Sequence, residues 1–463
     1  MKSINLSTED RALTLGWLSV APLLVWWLGW FPGFMSSDSI DQLGQVDRFD
    51  FFNFHPIVHT FSMWVATRVW DNPGAITLLQ VLILAGLLGF LARRLTQVGV
   101  PWWLTVAAAW ITAALPMVGA TTITIWKDIP YSLAMVWAFA ELLALARDRD
   151  RFWSSWWGPL RLGTALGLMW ALRANGKVTV VIFAVALAIG FWRQWRRLLA
   201  AGGAVVAVGI VTPAVLLTVL SVNPGTIEPA EVFLPDVAAV VVNDPDWFGD
   251  ADLARLQAIA PIEVWQGQYE CSDSTPLVFD PNFNHAPPRE NPWEYRSLVA
   301  RTAITHLPTV VGHRWCAASF LFVPWPRDGS YLHRPPFEIP PNTLGIARDS
   351  ISDRAYSFTL AQYQWIEKPG VEWLTWRPAL VVLVGIATYI GIGVRRRLRP
   401  LLWAGGLIGA QLLNVAAMTP AHEFRYAFGV YLLCLMSLPF WWLIIRPDEA
   451  LIGPPLRQLD SSP

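Results

Sequence analysis

The sequence predicts an α-helical polytopic membrane protein of about 10 transmembrane helices with a smaller extracytoplasmic α+β domain. Three observations predict it. Of 463 residues, 54% are hydrophobic and only 15% charged, with 28 tryptophans and a positive mean hydropathy, so water is not the main solvent. The apolar residues fall into runs of about 20, the length that crosses a hydrocarbon core of ~30 Å. After the seventh run the composition changes to dispersed charge and proline (PPRENPW, VPWPRDG, HRPPFEIPPN), which marks a water-facing insertion.

The runs lie at 12–31, 74–93, 102–120, 129–146, 157–173, 177–192, 198–221, 378–394, 400–418 and 425–445. The first has no small-residue cleavage site and reads as an uncleaved anchor. Arg93 with Arg94, the Arg147 to Arg151 run, Arg193 to Arg197 and Arg395 to Arg399 all fall at ends that alternation assigns to the cytoplasm. That alternation requires 56–70, too short to cross, to lie on the outer surface as an amphipathic or re-entrant helix. Four regions result: an N-terminal membrane domain at 1–221 with an outer loop and surface helix at 32–73, an extracytoplasmic soluble domain at 222–377, C-terminal membrane helices at 378–446, and a tail at 447–463. Both termini are expected to be cytoplasmic. Within the insertion DADLARLQAI reads as helix and the rest as loops with a few short strands. Cys271 and Cys316 both fall in it, in an oxidising compartment, and are a candidate disulfide; Cys434 sits in the last span as an inert thiol.

Several function classes are excluded early. The 34 basic and 34 acidic residues cancel, so nothing points to nucleic acid. There is no phosphate-binding Walker loop or dinucleotide fingerprint, and three cysteines make no disulfide scaffold. Only Lys2, Lys127, Lys177 and Lys368 are lysine, an arginine bias that fits a GC-rich bacterial genome.

Polar residues that are costly near lipid collect on the predicted outer face. Asp38 and Asp41 follow the first span, and His55 and His59 flank the surface helix. Lys127 and Asp128 open the fourth span, and Arg173, Asn175 and Lys177 form the turn between the fifth and sixth. His422, Glu423, Arg425 and Tyr426 lie between the ninth and tenth. Each also has a plainer reading. Asp38 has the sequence context of a helix cap, with Asp41 in a capping-box-like position. His55 precedes a proline at a helix entry, or, with His59 four residues on and the carboxylates of Asp38 and Asp128, ligates a divalent metal. Lys127, Arg173 and Arg425 equally suit snorkelling anchors, and the tryptophan pairs 102–103 and 441–442 are interface belts.

Taken together, FPGFMSSDSIDQ, HPIVHT, TIWKDIPYSL, LRANG and EFRYAFG, in this order and on one side, resemble the pattern of the GT-C class of membrane glycosyltransferases, and more closely that of a bacterial subgroup of it. The resemblance covers the membrane portion, more than half of the chain. It implies a GT-C-like fold, a polyprenyl-phosphate-linked sugar as donor, and inverting transfer to an envelope glycan, lipid or protein outside the bacterial cytoplasmic membrane. Protein-mannosylating members carry a paired Asp-Glu in the first loop, whereas here Asp38 is followed by Ser39. Some members of the class use a divalent metal and others do not.

The chemistry assigns roles beside the resemblance. Transfer from a lipid phosphate needs a carboxylate to take the acceptor proton, for which Asp38 is the candidate. It also needs fixed cations facing the departing phosphate, for which Lys127, Arg173 and Arg425, with His55 orienting, are the candidates. Asp41, Asp128, Asn175, Lys177, His422, Glu423 and Tyr426 are candidates for binding sugar or acceptor, or for positioning. A transporter or lipid flippase, a non-catalytic envelope assembly protein and a lipid-phosphate hydrolase are the competing classes; the first predicts charge near span centres, where the sequence shows little.

Overall fold

A computed structural model describes residues 6–222, 228–326, 332 and 334–446; the tail expected at 447–463 lies outside them. Chain entry is a two-part helix, α1 (Thr8–Trp17) and α2 (Val20–Gly29), separated by one turn at Leu18 and Ser19. Two helices of the loop before α5 follow, α3 (Ser37–Arg48) and α4 (Ile57–Val69). Next come α5 (Gly74–Gln97), α6 (Trp102–Ala114), α7 (Pro116–Thr122), α8 (Asp128–Arg147), α9 (Arg149–Ser154), α10 (Trp157–Leu172) and α11 (Gly176–Gly190). A continuous helix over Trp192–Val219 contains α12 (Trp195–Val206), a wide π turn at Ala207–Val211 and α13 (Thr212–Val219).

Six helices are long and apolar enough to cross a membrane, and seven if the bent pair α6 and α7 is one span. The chain is thus a helical membrane protein by length and composition. The structure departs from ten uniform spans in a specific way. The run at 102–120 is broken by 67° where Pro116 opens α7 and Leu115 before it is forced into extended geometry. The helices α10 and α11, at 16 and 15 residues, span less than the ~30 Å that a hydrocarbon core requires at 1.5 Å per residue. Both are cut short where Arg173 leaves the helix in extended geometry.

Helix packing relies on small residues where hydrophobic burial gives no advantage over lipid. A Cβ on Gly163 of α10 would collide with the Ala201 backbone of α12, and one on Gly167 would sit 2.8 Å from the Val208 Cβ. The main core runs through α2, α5, α8, α10 and the C-terminal helices, filled by Trp26, Trp30, Phe139, Phe183 and Leu88.

The insertion is helical, which corrects the α+β expectation: α14 (Leu234–Asn243), α15 (Asp250–Ile259), α16 (Ile262–Gln268), α17 (Thr275–Val278), α18 (Ala286–Glu290), α19 (Pro292–Thr305), α20 (Leu307–Ala318) and α21 (Asp353–Ile366). Among the described residues there is no strand, only the isolated bridges Phe34 to Thr124 and Asp273 to Ala421. Prolines open α14, α17, α18, α19 and α20, among them Pro287 and Pro292 of PPRENPW, where a missing N–H costs nothing, whereas Pro324, Pro326, Pro335, Pro336, Pro340 and Pro341 lie in loops as expected. Nor is the insertion one unit. Its first part has its own core around Leu234, Val240, Leu256, Trp265 and Leu298. Its second part joins the membrane core: Ala355, Thr359, Tyr363 and Ile366 form one face of α21, and Thr359 Oγ1 accepts from Trp30 Nε1 at 2.8 Å. The C-terminal helices are α22 (Ala379–Val394), α23 (Leu402–Met418), α24 (Phe424–Ser437) and α25 (Trp441–Ile445), with α22, at 16 residues, again short.

Cys271 and Cys316 are joined in a disulfide that closes a separation of 45 residues. Beside it, Ser274 N–H and Oγ–H both donate to Pro420 O, at 2.8 and 2.7 Å, and His422 N–H donates to Ser272 O at 2.9 Å. The bridge therefore braces the insertion against the loop entering α24. A Cys271→Ser/Cys316→Ser variant is expected to lose about 2–4 kcal/mol of stability in the insertion. Limited proteolysis followed by mass spectrometry should then find new cleavage between 260 and 320 while the membrane helices stay intact.

Candidate active site

Two loops are knitted together before any charged group is placed. Phe34 N–H donates to Ile123 O and Ile125 N–H to Phe34 O, both at 3.0 Å, splicing the loop after α2 to the loop before α8. Gly33 makes this approach feasible: its φ is +123°, and a Cβ there would lie 2.5 Å from Ile123 O. Ser39 Oγ donates to Ile125 O at 2.6 Å, and Trp126 Nε1 to Ser36 Oγ at 2.9 Å. The start of α3 and the start of α8 are thereby fixed side by side.

The same contacts correct the cap reading of Asp38. Ser36 is the N-cap of α3, and Ser39 completes the capping box by accepting from Ser36 N–H at 3.0 Å. Asp38 is left in the first turn with its carboxylate 43% exposed, open to an incoming molecule. Asp41 takes no part in the box; its carboxylate accepts from Gln45 Nε2 at 2.8 Å.

Asp128 is fully buried at the first position of α8 and organises the cations. Arg173 Nη1 lies 3.1 Å from its Oδ1, and Arg425 Nε 4.0 Å from its Oδ2. Arg425 also pairs closely with the buried Glu423 and reaches Asp38 at 3.7 Å through Nη1. Aromatic faces hold both guanidiniums: Arg173 lies 4.7 Å from the Tyr426 ring centroid, and Arg425 lies 4.8 Å from that of Trp126 and 5.2 Å from that of Tyr426. Below them Tyr131 and Thr179 donate to Gln411 Oε1 at 2.5 and 2.6 Å.

Lys127 is different. It is half-buried, and its Nζ donates to His55 Nδ1 at 3.0 Å, but no carboxylate lies within ion-pairing distance among the described residues. An ammonium only donates, so His55 is the acceptor and carries its proton on Nε2. Burial and then the Lys127 charge push His55 down to about 4. His59 is pushed down to about 3 by burial, with Lys127 adding to it. Its Nδ1 lies 3.0 Å from Gln42 Nε2, which also donates to Thr60 Oγ1 at 2.8 Å. Burial likewise lowers Lys127 below the ordinary lysine range.

The expected metal set does not assemble. Among the described residues no three His, Cys, Asp or Glu side chains are arranged to hold an ion. Arg425 stands between Asp38 and Asp128, while His55 and His59 each spend Nδ1 on a protein donor.

Other expected residues separate from the cluster. His422 faces the insertion, its Nε2 donating to Cys316 O at 2.9 Å, so it is a joint and not a sugar contact. Asn175 and Lys177 make no hydrogen bond or ion pair to the cluster among the described residues, and Lys177 is exposed. Trp126, Tyr131 and Gln42 escaped the sequence reading because aromatic and amide residues in apolar runs carry no distinctive signal. Glu141 escaped it too, although an acid within a span is one. It is fully buried near the far end of α8, with Arg161 Nε at 3.1 Å and Arg94 Nη2 at 3.9 Å. Compared with protein-family models, curated proteins and solved structures, the chain matches none.

Two neutral buried histidines make stability depend on pH. Unfolded, each takes up a proton near the ordinary value of 6.5; folded, they resist it to about 4 and about 3. Their contribution is therefore complete above about 6.5 and is lost as pH falls through the folded values, by at most about 1.4 kcal/mol per pH unit for each. Thermal unfolding in detergent between pH 7.5 and 4 should show a falling midpoint, with a shallower fall in His59→Gln. An unchanged slope in that variant would assign the acid sensitivity to other groups.

Proposed function

We propose that the chain is a GT-C-type membrane glycosyltransferase. It moves a sugar from a polyprenyl-phosphate donor to an envelope glycan, lipid or protein on the extracytoplasmic side of a bacterial inner membrane. The observation that carries this reading is the Lys127 ammonium, which has no direct ion pair among the described residues and lies within electrostatic reach of the half-exposed Asp38 carboxylate. A half-buried cation with no carboxylate in direct contact has room for an anion, and a phosphate would fill that place. The sequence resemblance supports the same class.

In this reading the donor phosphate sits against Lys127 and the open side of Arg425, with Arg173 and Asp128 fixing the position of Arg425 and its neighbours. Asp38 takes the proton from the acceptor hydroxyl as the hydroxyl oxygen bonds to the anomeric carbon. The bond from that carbon to the phosphate oxygen breaks on the opposite face, inverting the centre and releasing polyprenyl phosphate. Charge gathering on the phosphate is met by cations already in place, in surroundings where they act more strongly than in water. His55, neutral and accepting, aims the Lys127 ammonium. The apolar seam where α4 meets α13, lined by Val58, Trp64, Leu216, Leu217 and Leu220, suits a prenyl tail. The topology that goes with this reading has about ten crossings, including the short α10, α11 and α22, and both termini in the cytoplasm.

One observation favours a transporter instead: Glu141 is an ionisable group inside a span. Its two arginine partners and its place toward one end of α8 describe a closed ion pair more than a transport path.

Mass spectrometry of polyprenyl-phosphate sugars, incubated in proteoliposomes with native envelope extract, separates these readings. Wild type should release polyprenyl phosphate and a glycosylated acceptor. Asp38→Asn should lower turnover by roughly 10²–10⁴-fold while still retaining the glycolipid. Lys127→Gln should weaken glycolipid retention itself, by about tenfold or more. Equal consumption by wild type and Asp38→Asn, or none by either, would remove the transferase reading and bring the transporter forward.

A further inference from the structure

At the end of the bundle opposite Asp38, a cavity of about 560 Å³ is lined by Arg93, Arg94, Arg147, Arg151 and Arg161. Four elements build it: the last turn of α5, the end of α8, α9, and the first turns of α10. Asp148 is the one carboxylate on its wall, and it is engaged, accepting from Arg151 N–H as the cap of α9.

The arginines are only partly compensated. Arg93 and Arg147 reach Asp10 and Glu9 of α1 at 3.4 and 3.5 Å, in exposed pairs of the kind that contribute little. Arg151 has no ion pair among the described residues. Arg94 and Arg161 share the single buried carboxylate of Glu141, which lies behind the lining, and the Nε groups of Arg93 and Arg94 are buried with no hydrogen-bond partner. Apart from the engaged Asp148, the wall offers Gln97, whose Oε1 accepts from Arg94 Nη1 at 3.0 Å, so five guanidiniums face few acceptor oxygens. Phe90 and Phe152 supply apolar wall, and the exposed Trp156 and Trp157 flank the mouth as residues do at a membrane boundary.

We propose that this cavity binds a phosphate-bearing anion, the headgroup of an anionic phospholipid entering from the bilayer. A phosphodiester supplies the missing acceptors in the forked geometry that arginine recognises, and basic pockets between helix ends at a membrane surface take such headgroups. Glu141, fully buried behind this lining, holds Arg94 and Arg161 and competes with the anion for them. The inference stands apart from the chemistry proposed for Asp38, which lies at the other end of the 20-residue α8.

Native mass spectrometry of the full chain, offered phosphatidylglycerol or phosphatidylcholine with the same acyl chains, tests it. Phosphatidylglycerol should be retained at least tenfold better, and Arg93→Gln/Arg151→Gln, both at the rim, should abolish most of that preference while the melting temperature stays close to wild type. Glu141→Gln should tighten retention several-fold by releasing Arg94 and Arg161 to the ligand. A purely structural role for Glu141 predicts the opposite, and if that variant fails to fold, the rim pair alone decides. Inorganic phosphate or pyrophosphate binding that the rim pair abolishes, with no lipid preference, would keep the phosphate site and identify a soluble anion as its ligand. Equal retention of both lipids with no phosphate binding, or a rim variant that binds as wild type does, would overturn the proposal.

Discussion

The candidate site depends on one buried carboxylate. Asp128 has no exposed surface, and an ionised group in that position persists only if cations reach it. Two do, from opposite directions in the chain: Arg173 from the turn between α10 and α11, and Arg425 from the first turn of α24. Because Arg425 is tethered there and to Glu423, its remaining edge is presented to Asp38. The start of α8 adds its own field, since the unpaired N–H groups of a helix N-terminus favour a negative charge. Four segments far apart in sequence are thus gathered by a single electrostatic demand, and the backbone splice between Phe34 and Thr124 sets the distance at which they meet.

The insertion is tied to this arrangement at two points. The disulfide and His422 fasten its first part to the loop that leads into Glu423 and Arg425. Its second part packs α21 along α2, with Arg348 lying 4.4 Å from the Trp30 ring centroid. The insertion is therefore a brace on both sides of the charged cluster and shares core with the membrane helices.

Much of this was legible in the sequence, for physical reasons that also explain the misses. Apolar runs near the length of a bilayer mark helices, since every backbone polar group there must be satisfied within the segment. Charged residues at the ends of such runs mark the site, because only function or pairing keeps them near lipid. The separation of Asp38 from a helix cap was not legible, because Ser36, Ser37, Asp38 and Ser39 all suit that role and only the bond from Ser36 N–H to Ser39 Oγ decides. His422 read as a site residue because its neighbours Glu423 and Arg425 belong to the charged cluster; its side chain turns toward Cys316, a partner 106 residues away. The helical first part of the insertion read as loops because proline signals a turn or a helix start equally well until the following residues are seen to coil, whereas the proline-rich stretch before α21 does run as loop. Glu141 was passed over because an isolated acid in an apolar run gives no hint of Arg94 and Arg161, which reach it from other helices.

The long helix over Trp192–Val219 has only 6% of its apolar window buried. It touches the bundle along the glycine seam of α10 and, through α13, at α4. The rest of its surface is exposed and apolar and suits acyl chains, so a bilayer would be part of its fold in the way that water is part of the fold of a soluble surface helix. Lipid thickness and fluidity consequently act on this element first, and through its contact with α4 they bear on the helix that carries His59, while the core around Asp128 is insulated from them.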